Sequence, residues 1–359
     1  MSARVLHPLF EPLQAGELAL KNRVVMAPMA RRRADEAGVP SEHAPEYYAQ
    51  RAGAGLIVTE GTAPSPRGKG SLRMPALYSD AHVAGWRKVT DAVHARGGMI
   101  VAQLMHSGRM AHSSRIGAVP VAPSAVRPAG QVATAAGMAD YETPQALTPE
   151  GIAGIIGEYA QATRRALAAG FDGVELHGAS GYLPMQFLSS STNRRTDRYG
   201  GSAANRARFT VEALQAMAEV AGPGRVGLKL SPEFPHNDIR DDDPVETYTV
   251  LARALGGLRL AYLHVAQSKP SSADYHALLR PVYPGRFFAG GGLSRDMAEG
   301  LVRSARADAA VFGQLFLANP DLPERFRRNA PFNPPDRDTF YTPGPKGYID
   351  YPFLEPRPA

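Results

Sequence analysis

The sequence predicts an α/β protein, a single (β/α)8 or TIM barrel spanning residues 1–359. Short apolar, β-branched runs alternate with helical patterns between Val24 and Phe312, and these runs number eight. Eight parallel strands are what closes such a barrel. A chain of 359 residues would also suit two domains of average size, but the repeated strand and helix pattern favours one large barrel with insertions.

The predicted strands are short apolar runs, most of them ended by Gly, Pro or polar residues, which is typical of buried parallel strands. In chain order they are Val24-Met26, Leu56-Thr59, Ile100-Leu104, Gly173-Leu176, Val226-Leu230, Ala261-Val265, Phe287-Ala289 and Ala309-Phe312.

Apolar spacing predicts the helices between these strands. From Ile152 to Leu167, apolar residues recur at intervals of three and four, after Thr148 as N-cap and Pro149 at the first helical position. The same spacing predicts two further helices, one over Val83, Trp86, Val89 and Val93 and one over Phe209, Ala213 and Met217.

Three segments fall outside the repeat. Residues 10–20 read as two short strands around Gln14-Ala15-Gly16, and we expect this hairpin to plug the bottom of the barrel, because active sites gather at the opposite end. Residues 107–146 follow the third strand without a sustained period, so we expect a lid over the catalytic face. Residues 330–359 are expected to fold back and pack, because a solvated tail would not need aromatic residues. These are Phe332, Phe340, Tyr341, Tyr348, Tyr351 and Phe353.

Composition excludes several classes of protein. The chain has no Cys, so disulfides, thiolate metal sites and a cysteine nucleophile are excluded. The formal net charge is +6, and the basic clusters at 31–33 and 327–328 are too short for a nucleic-acid-binding arm. A mild positive charge instead suits a phosphate-bearing cofactor or an anionic substrate.

The sequence also predicts where the protein works. No apolar run reaches the roughly 18 residues that span a bilayer, and the first residues lack the apolar stretch of a signal peptide. We therefore expect a cytoplasmic protein that takes a small-molecule substrate. No nucleic-acid or membrane partner is expected, and the expected state is a monomer or small homo-oligomer.

Candidate functional residues lie where the predicted strands end, because catalytic side chains of a barrel project from the C-terminal ends of its strands. The seventh and eighth runs lead into Gly290-Gly291-Gly292 and Gly313-Gln314. Barrels often bind phosphate with these two loops, where glycine lets backbone N–H groups approach phosphate oxygens. Alternatively, the first glycines form only a tight turn into a helix capped by Ser294.

Polar residues stand in the third and fifth strands. The amide of Gln103 can donate and accept at once, which matches the edge of a heterocyclic ring. Lys229 could place positive charge beside a ring that becomes anionic on reduction. Alternatively, the two residues are a polar pair that closes the top of the barrel.

The loop after the fourth strand carries His177, Ser180 and Tyr182. An imidazole can donate to a developing oxyanion and a phenol can supply a proton, while Ser180 adds a hydroxyl. The alternative is a structural histidine and a packing tyrosine. A Ser-His hydrolase is disfavoured because Gly-x-Ser-x-Gly is missing here. No metal site is expected, since His106 and His112 lack a third ligand at recognisable spacing.

Longer motifs cover nearly the whole chain and together resemble one family, the old yellow enzymes, which are FMN-dependent ene-reductases built on a (β/α)8 barrel. In having no Cys, the chain resembles the larger, classical branch of that family. The matching stretches are Leu9-Phe10-Glu11-Pro12-Leu13, Lys21-Asn22-Arg23-Val24, Ala27-Pro28-Met29, Tyr47-Tyr48-Ala49-Gln50-Arg51, Gln103-Leu104-Met105-His106-Ser107-Gly108-Arg109, Gly170-Phe171-Asp172-Gly173-Val174-Glu175-Leu176-His177, Asn193-Arg194-Arg195-Thr196-Asp197-Arg198-Tyr199-Gly200-Gly201-Ser202, Asn205-Arg206, Ala318-Asn319-Pro320-Asp321-Leu322 and Gly347-Tyr348-Ile349-Asp350-Tyr351-Pro352.

The resemblance implies the cofactor, the reaction and the site. FMN would be reduced by NADPH or NADH and would pass hydride from N5 to the β-carbon of an activated alkene. His177 would polarise the carbonyl or nitro oxygen, with Ser180 beside it, and Tyr182 would protonate the α-carbon. The implied flavin-binding residues are Pro28, Met29, Ala30, Gly61, Gln103, Lys229, Gly291, Gly292, Gly313 and Gln314. The implied substrate-binding residues are Ser71, Met105 and Tyr351.

Several residues of this implied site depart from the usual pattern of the family. The departures are Ala30 for Thr, Ser180 for His or Asn, Lys229 and Gln314 for Arg, Met105 for a bulky aromatic residue and Ser71 for Tyr. Two alternatives therefore stay open. One is a flavoenzyme that performs a redox-neutral rearrangement or a dehydrogenation on a larger substrate, and the other is a binding or scaffold protein without turnover. Retention of both His177 and Tyr182 argues against the second.

Overall fold

The computed structural model describes residues 7–267 and 270–354. Its strands are β1 (Leu13–Ala15), β2 (Leu18–Leu20), β3 (Val24–Met26), β4 (Leu56–Val58), β5 (Ile100–Leu104), β6 (Val121–Ala122), β7 (Gln131–Thr134), β8 (Gly137–Asp140), β9 (Gln145–Ala146), β10 (Gly173–Gly178), β11 (Val226–Leu230), β12 (Tyr262–Ala266), β13 (Phe287–Gly290) and β14 (Ala309–Phe312). Its α-helices are α1 (Ala44–Gln50), α2 (Asp80–Ala95), α3 (Ser113–Ile116), α4 (Pro149–Ala168), α5 (Leu183–Leu188), α6 (Ala203–Ala221), α7 (Pro244–Leu255), α8 (Tyr275–Leu279), α9 (Arg295–Arg303), α10 (Gln314–Ala318) and α11 (Leu322–Arg328). Short 3-10 helices cover Pro8–Phe10, Pro66–Gly68, Gly108–Met110, Pro223–Arg225, Gly256–Leu258 and Arg337–Thr339.

Eight of these strands, β3 to β5 and β10 to β14, form a closed parallel barrel. They coincide with the eight predicted runs, so the predicted (β/α)8 barrel is confirmed. The strand ends differ slightly, because β4 stops before Thr59 and β10 continues to Gly178. In the strand register, polar residues of neighbouring strands are partners: Glu175 of β10 pairs with Gln103 of β5, and His177 of β10 pairs with Lys229 of β11.

The helices predicted from apolar spacing are present as α2, α4 and α6. Helix α4 begins after Thr148, whose hydroxyl accepts a hydrogen bond from the N–H of Gly151, as expected for an N-cap. Its apolar face, which includes Ile152 and Tyr159, is buried. Within residues 7–267 and 270–354, no helix combines the length and the apolar character that a membrane crossing requires.

The predicted hairpin is present at the bottom of the barrel as the antiparallel pair β1 and β2. Its apolar residues, Leu13 among them, are buried against the inner side chains of the barrel strands. The N–H of Glu17 donates to the carbonyl of Gly224, which lies just before β11. The turn falls at Gly16 and Glu17, later than predicted, because Gly16 takes a φ of 58° that suits a glycine.

Residues 107–146, the expected lid, contain α3, the parallel pair β6 and β9, and the hairpin β7 and β8. The guanidinium of Arg109 ties this segment to the loop after β11 by donating to the carbonyls of Asn237 and Asp238. The N–H of Ala129 adds a 3.0 Å hydrogen bond to the carboxylate of Asp238. A lid function for the segment remains a prediction.

The tail packs back onto the first barrel loop through Arg31 and Arg33. The guanidinium of Arg31 lies beside the stacked rings of Tyr47 and Tyr348, 5.2 and 5.1 Å from their centroids, and donates to the carbonyl of Gly347. Arg33 donates to further tail carbonyls between residues 339 and 346. The expectation that the tail aromatics pack is only partly met. Three of them remain about half exposed to solvent: Phe332 (44%), Tyr341 (50%) and Phe353 (49%).

Candidate active site

Two adjoining cavities open at the C-terminal ends of the barrel strands. The first, here called the groove, has a volume of about 590 Å³ and follows the loops after β13 and β14. The second, the inner pocket, has a volume of about 230 Å³ and lies at the ends of β5, β10 and β11. Pro28 and Lys229 line both, so the two cavities adjoin. Cofactor and ligand sites typically measure about 300–1,000 Å³.

The structure brings together every predicted site residue except Tyr351. The groove is lined by Pro28, Met29, Lys229, Gly291, Gly292, Gly313 and Gln314. The inner pocket is lined by Pro28, Ala30, Gly61, Ser71, Gln103, Met105, His177, Ser180, Tyr182 and Lys229.

Tyr351 does not line either cavity. Its hydroxyl accepts a hydrogen bond of 2.9 Å from the N–H of Asp336, within the tail. The tail is fixed by Arg31 and Arg33, and this attachment buries Tyr348 against Tyr47, with ring centroids 4.0 Å apart. The implied substrate contact of Tyr351 therefore finds no support in the structure.

At Gly291 and Gly292 the backbone that lines the groove has conformations that suit glycine. Gly291 has a φ of 111°, and a Cβ at this position would collide with the carbonyl of Gln267. Gly292 has a φ of 74°, and a Cβ there would meet no atom within 4 Å. The chain therefore needs glycine at 291 for close backbone packing, while Gly292 borders open space.

Buried polar side chains form the floor beneath the inner pocket. Gln103 donates from Nε2 to Oε1 of Glu175 across 2.7 Å. The other carboxylate oxygen of Glu175 lies 3.6 Å from Nδ1 of His264. Burial lowers the pKa of Lys229, and the charge of Glu175 opposes this effect. The predicted polar pair, Gln103 and Lys229, is thus linked through Glu175, which sequence reasoning did not single out.

His177 is a neutral hydrogen-bond donor toward the inner pocket. Its Nδ1 faces the N–H of Ala179 at 3.2 Å and accepts from it, which leaves the ring proton on Nε2. Burial holds the pKa of His177 well below its usual range, and the positive charge of Lys229 and the nearby His264 lower it further. An uncharged ring with Nε2–H can donate to a substrate oxygen across a wide range of pH.

Tyr182 lies beside His177, with ring centroids 5.2 Å apart at a steep angle. It is the N-cap residue of α5 and packs with Met74 and Met105. Burial raises the pKa of Tyr182, so the phenol keeps its proton at neutral pH. The pair therefore offers one hydrogen-bond donor and one proton source within the same cavity.

Ser180, on the same loop, is fixed by its backbone. It has a φ of 55°, a left-handed conformation that serine rarely adopts. Its N–H donates to Oγ of Ser231 and its carbonyl accepts from the side-chain amide of Asn237. Among the residues that the structure describes, its hydroxyl has no hydrogen-bond partner.

Glu60 is a buried carboxylate in the wall of the inner pocket that sequence reasoning missed. Its Oε2 accepts the N–H groups of Arg31 and Arg32 at 2.8 and 3.2 Å, and burial raises its pKa. Because Glu60 directly follows the second predicted strand, the rule that sites lie at strand ends would have found it. On the same wall, a Cβ at Gly61 would lie 2.7 Å from Sδ of Met105.

Other lining residues were also missed. Arg32, Met74, Phe234 and His236 line the inner pocket, and His264, Ala266, Asn333 and Pro335 line the groove. Most lie in loops whose approach depends on the complete fold. In the described ranges, no group of three or more His, Asp or Glu residues is arranged to hold a metal ion.

The chain is similar to several flavin-dependent proteins. The profile of the NADH:flavin oxidoreductase / NADH oxidase family matches residues 8–333. A probable flavin mononucleotide-dependent alkene reductase of Leishmania infantum is 43% identical over 98% of this chain and 99% of the relative. The solved structure of an old yellow enzyme homologue from Zymomonas mobilis has a TM-score of 0.95 at 39% identity, covering 96% and 99% of the two chains. Morphinone reductase in complex with tetrahydroNAD has a TM-score of 0.92 at 45% identity, covering 97% and 98%.

Proposed function

The chain belongs to the NADH:flavin oxidoreductase / NADH oxidase family, and from this premise we propose that it transfers hydride from NADPH or NADH through FMN to a carbonyl- or nitro-activated alkene. Membership confirms the resemblance to the old yellow enzymes and makes the chain an FMN-dependent enzyme that acts on small molecules. The alkene as hydride acceptor is the part that we add.

The residues present fit FMN. The groove offers an open glycine backbone at Gly292 and a half-buried cation at Lys229, and the adjoining inner pocket adds the amide of Gln103. Together they are the donor set that a phosphate and a polar ring edge require. We assign the phosphate to Gly291, Gly292, Gly313 and Gln314. We assign the ring to Pro28, Met29, Ala30 and Gly61, with Gln103 and Lys229 at its polar edge.

When bound, FMN supplies the two-electron chemistry, by accepting hydride from NADPH or NADH and giving it from N5 to the β-carbon of the alkene. The protein supplies orientation and charge. Lys229 would keep a positive charge next to the ring, and Glu175 below it favours that charged form. Gln103, which is oriented by its hydrogen bond to Glu175, would hold the polar edge of the ring with its remaining amide atoms.

His177 would bind and polarise the substrate oxygen. Because Nδ1 of His177 accepts from Ala179, the Nε2–H is available to donate to the oxygen as negative charge develops there. The hydroxyl of Ser180 can donate to the same oxygen. Polarisation withdraws electrons from the alkene and makes its β-carbon a better hydride acceptor.

Tyr182 would complete the reduction by giving its phenolic proton to the α-carbon. Its raised pKa ensures that the proton is present at neutral pH. Ser71 and Met105 line the same cavity and would contact the substrate. The observation that carries the proposal is that the neutral His177 and the protonated Tyr182 line one pocket beside the groove, with their ring centroids 5.2 Å apart.

The test is a pair of half-reactions. The purified protein is expected to be yellow, to bleach when NADPH or NADH is added without oxygen, and to regain colour when cyclohexenone is added. A colourless protein that takes up no added FMN would contradict the proposal. Bleaching without recovery on enones or nitroalkenes would favour the alternative reaction, a rearrangement or dehydrogenation of a larger substrate.

A further inference from the structure

Arg32 is a cation of the inner pocket without a counter-charge. Its neighbours Arg31 and Arg33 are engaged by tail carbonyls, whereas Arg32 lines the pocket. In the parts of the chain that the structure describes, its guanidinium makes no hydrogen bond and no ion pair, and its Nε is shielded from solvent. The guanidinium lies 4.8 Å from the centroid of the Tyr341 ring.

The backbone conformation, rather than a hydrogen bond or an ion pair, directs the side chain of Arg32 toward the inner pocket. Arg32 has a φ of 50°, in the left-handed region that residues other than Gly, Asn and Asp rarely occupy. Its N–H is bonded to Glu60, and the residues on both sides are anchored to the tail. The protein therefore holds an unusual conformation that keeps a guanidinium at the pocket.

The surroundings of Arg32 are short of negative charge. Glu60 is the acidic residue in the lining of the inner pocket, and its Oε2 already accepts two backbone N–H groups. The neighbouring charge of Arg115 is also positive. The pKa of Arg115 is lowered mainly by burial, and the positive charge of Arg32 lowers it further. A partly desolvated cation in such surroundings is stabilised when an anion binds.

We propose that Arg32 recognises an oxyanion on the substrate, so that the preferred alkenes carry a carboxylate in addition to the group that activates the double bond. This inference rests on the proposed function and names its substrate class. A guanidinium presents two parallel N–H groups that match a carboxylate. Arg32 would then hold one end of the substrate while His177 binds the activating oxygen at the other.

A phosphate of NADPH or NADH offers the same oxyanion chemistry, but the pocket favours the substrate. The cavity measures about 230 Å³ and is lined by His177 and Tyr182 as well as Arg32. An anion bound by Arg32 in this cavity would lie beside the two residues assigned to the reacting alkene.

The test compares two substrates that differ in charge, 3-oxocyclohex-1-ene-1-carboxylate and its methyl ester, on the flavin-loaded enzyme. Arg32→Met is expected to lower the acid-to-ester ratio of kcat/KM by about 10- to 100-fold, the effect of losing one hydrogen bond to a charged group. Arg32→Lys should retain part of the preference. Arg253→Met, which removes an exposed arginine on α7 outside both cavities, should leave the ratio unchanged.

Two results would overturn the inference. The first is an unchanged acid-to-ester ratio in Arg32→Met. The second is a loss confined to flavin reduction by NADPH and NADH in stopped-flow experiments, which would assign the oxyanion to the dinucleotide.

A binding measurement separates this inference from the proposed function. Calorimetric titration of the oxidised, flavin-loaded protein with 4-hydroxybenzoate and with its methyl ester requires no turnover. Tighter binding of the acid that is lost in Arg32→Met supports the role of Arg32, even if no alkene is reduced. Equal binding of acid and ester by the unaltered protein contradicts that role, even if cyclohexenone is reduced well.

Discussion

The side-chain amide of Gln103 donates a 2.7 Å hydrogen bond to the carboxylate of Glu175, its partner residue on the neighbouring strand. The second oxygen of that carboxylate is buried without a hydrogen bond and lies 3.6 Å from His264. Glu175 also counteracts the effect of burial on the pKa of Lys229. One carboxylate thus orients an amide and favours a charge, and both of these groups line the cavities.

Replacing Glu175 with Gln is therefore expected to weaken FMN binding by roughly 10-fold, because the hydrogen bond that orients Gln103 is no longer charge-assisted and Lys229 loses its nearby carboxylate. The pKa of Lys229 should fall further, since only burial then acts on it. FMN affinity should consequently begin to decline at a lower pH than in the unaltered protein. Fluorescence titration of the apoprotein with FMN at increasing pH measures both effects.

Glu158→Gln is the matched control for this experiment. Glu158 is half-buried, whereas Glu175 is fully buried, but it too has one carboxylate oxygen without a hydrogen bond, and it lies outside both cavities. This variant should titrate like the unaltered protein. Identical FMN titrations for Glu175→Gln and Glu158→Gln would show that Glu175 does not support the site.

Much of this architecture could be predicted from the sequence, because the information is local. Each barrel strand is a short apolar run, and each run ends at a residue that lines a cavity or leads into one. Residues such as Gln103 and His177 stand out because they interrupt or end those runs. Their convergence then follows from the barrel topology alone, in which all strand ends meet at one face.

The parts that were missed depend on contacts between distant residues. The cluster at 31–33 was interpreted only as charge, yet Arg31 donates to Phe340, 309 residues away. Glu175 looked like part of a strand because its partners, Gln103 and His264, lie on other strands. The resemblance predicts a substrate contact for Tyr351, whereas its hydroxyl accepts from the N–H of Asp336 and the residue lines neither cavity. No local pattern records these pairings.

Tyr182→Phe should separate the two half-reactions. The phenyl ring keeps the packing with Met74 and Met105 but has no proton to give. Reoxidation of reduced flavin by cyclohexenone should slow by about 10²- to 10⁴-fold, the usual contribution of a general acid, while reduction by NADPH stays within about 2-fold. Stopped-flow absorbance measures both rates.

The control is Tyr159→Phe, which changes a buried tyrosine on α4 that lies outside the cavities. Slower reduction with normal reoxidation would exclude the proposed role of Tyr182.

His106 should make the protein sensitive to acid. Its Nδ1 accepts from the N–H of Gly108, its Nε2 has no partner, and burial lowers the pKa of His106 to about 3. A histidine in the unfolded chain binds a proton below about pH 6.5. Between about pH 6.5 and 3, His106 is therefore protonated in the unfolded state and neutral in the folded state. The stability contributed by this residue is thus complete above about pH 6.5 and is lost as the pH falls toward 3.

His106→Gln removes this titration. Its free energy of unfolding should fall less steeply between about pH 6.5 and pH 4.5, by up to about 1.4 kcal/mol per pH unit relative to the unaltered protein. Urea unfolding at several pH values gives the two slopes, and the comparison is independent of any change in absolute stability. Parallel slopes would mean that His106 is protonated in the folded protein.

Ala30→Thr is expected to act on flavin reduction. Ala30 lines the inner pocket, and a hydroxyl at this position could donate to O4 of the ring and stabilise its reduced form. One net hydrogen bond corresponds to about a 2- to 10-fold faster reduction by NADPH. Ala30→Val has the same shape without the hydroxyl and should give no gain. If both variants behave alike in stopped-flow reduction, the hydrogen bond does not form.

Ser180→Asn should instead act on the substrate. Asn tolerates the left-handed backbone at this position, where φ is 55°, and its amide reaches farther than the unpartnered Ser180 hydroxyl. A second well-placed oxyanion donor can increase the rate by about 10²- to 10³-fold, so cyclohexenone should reoxidise the flavin faster, and phenols should bind more tightly, seen as a stronger charge-transfer band. Ser180→Asp has the same shape but only accepts hydrogen bonds, so it should slow the step. If Asn brings no gain, the natural substrate supplies its own group at this position, and the alternative reaction on a larger substrate becomes the better explanation of the pocket.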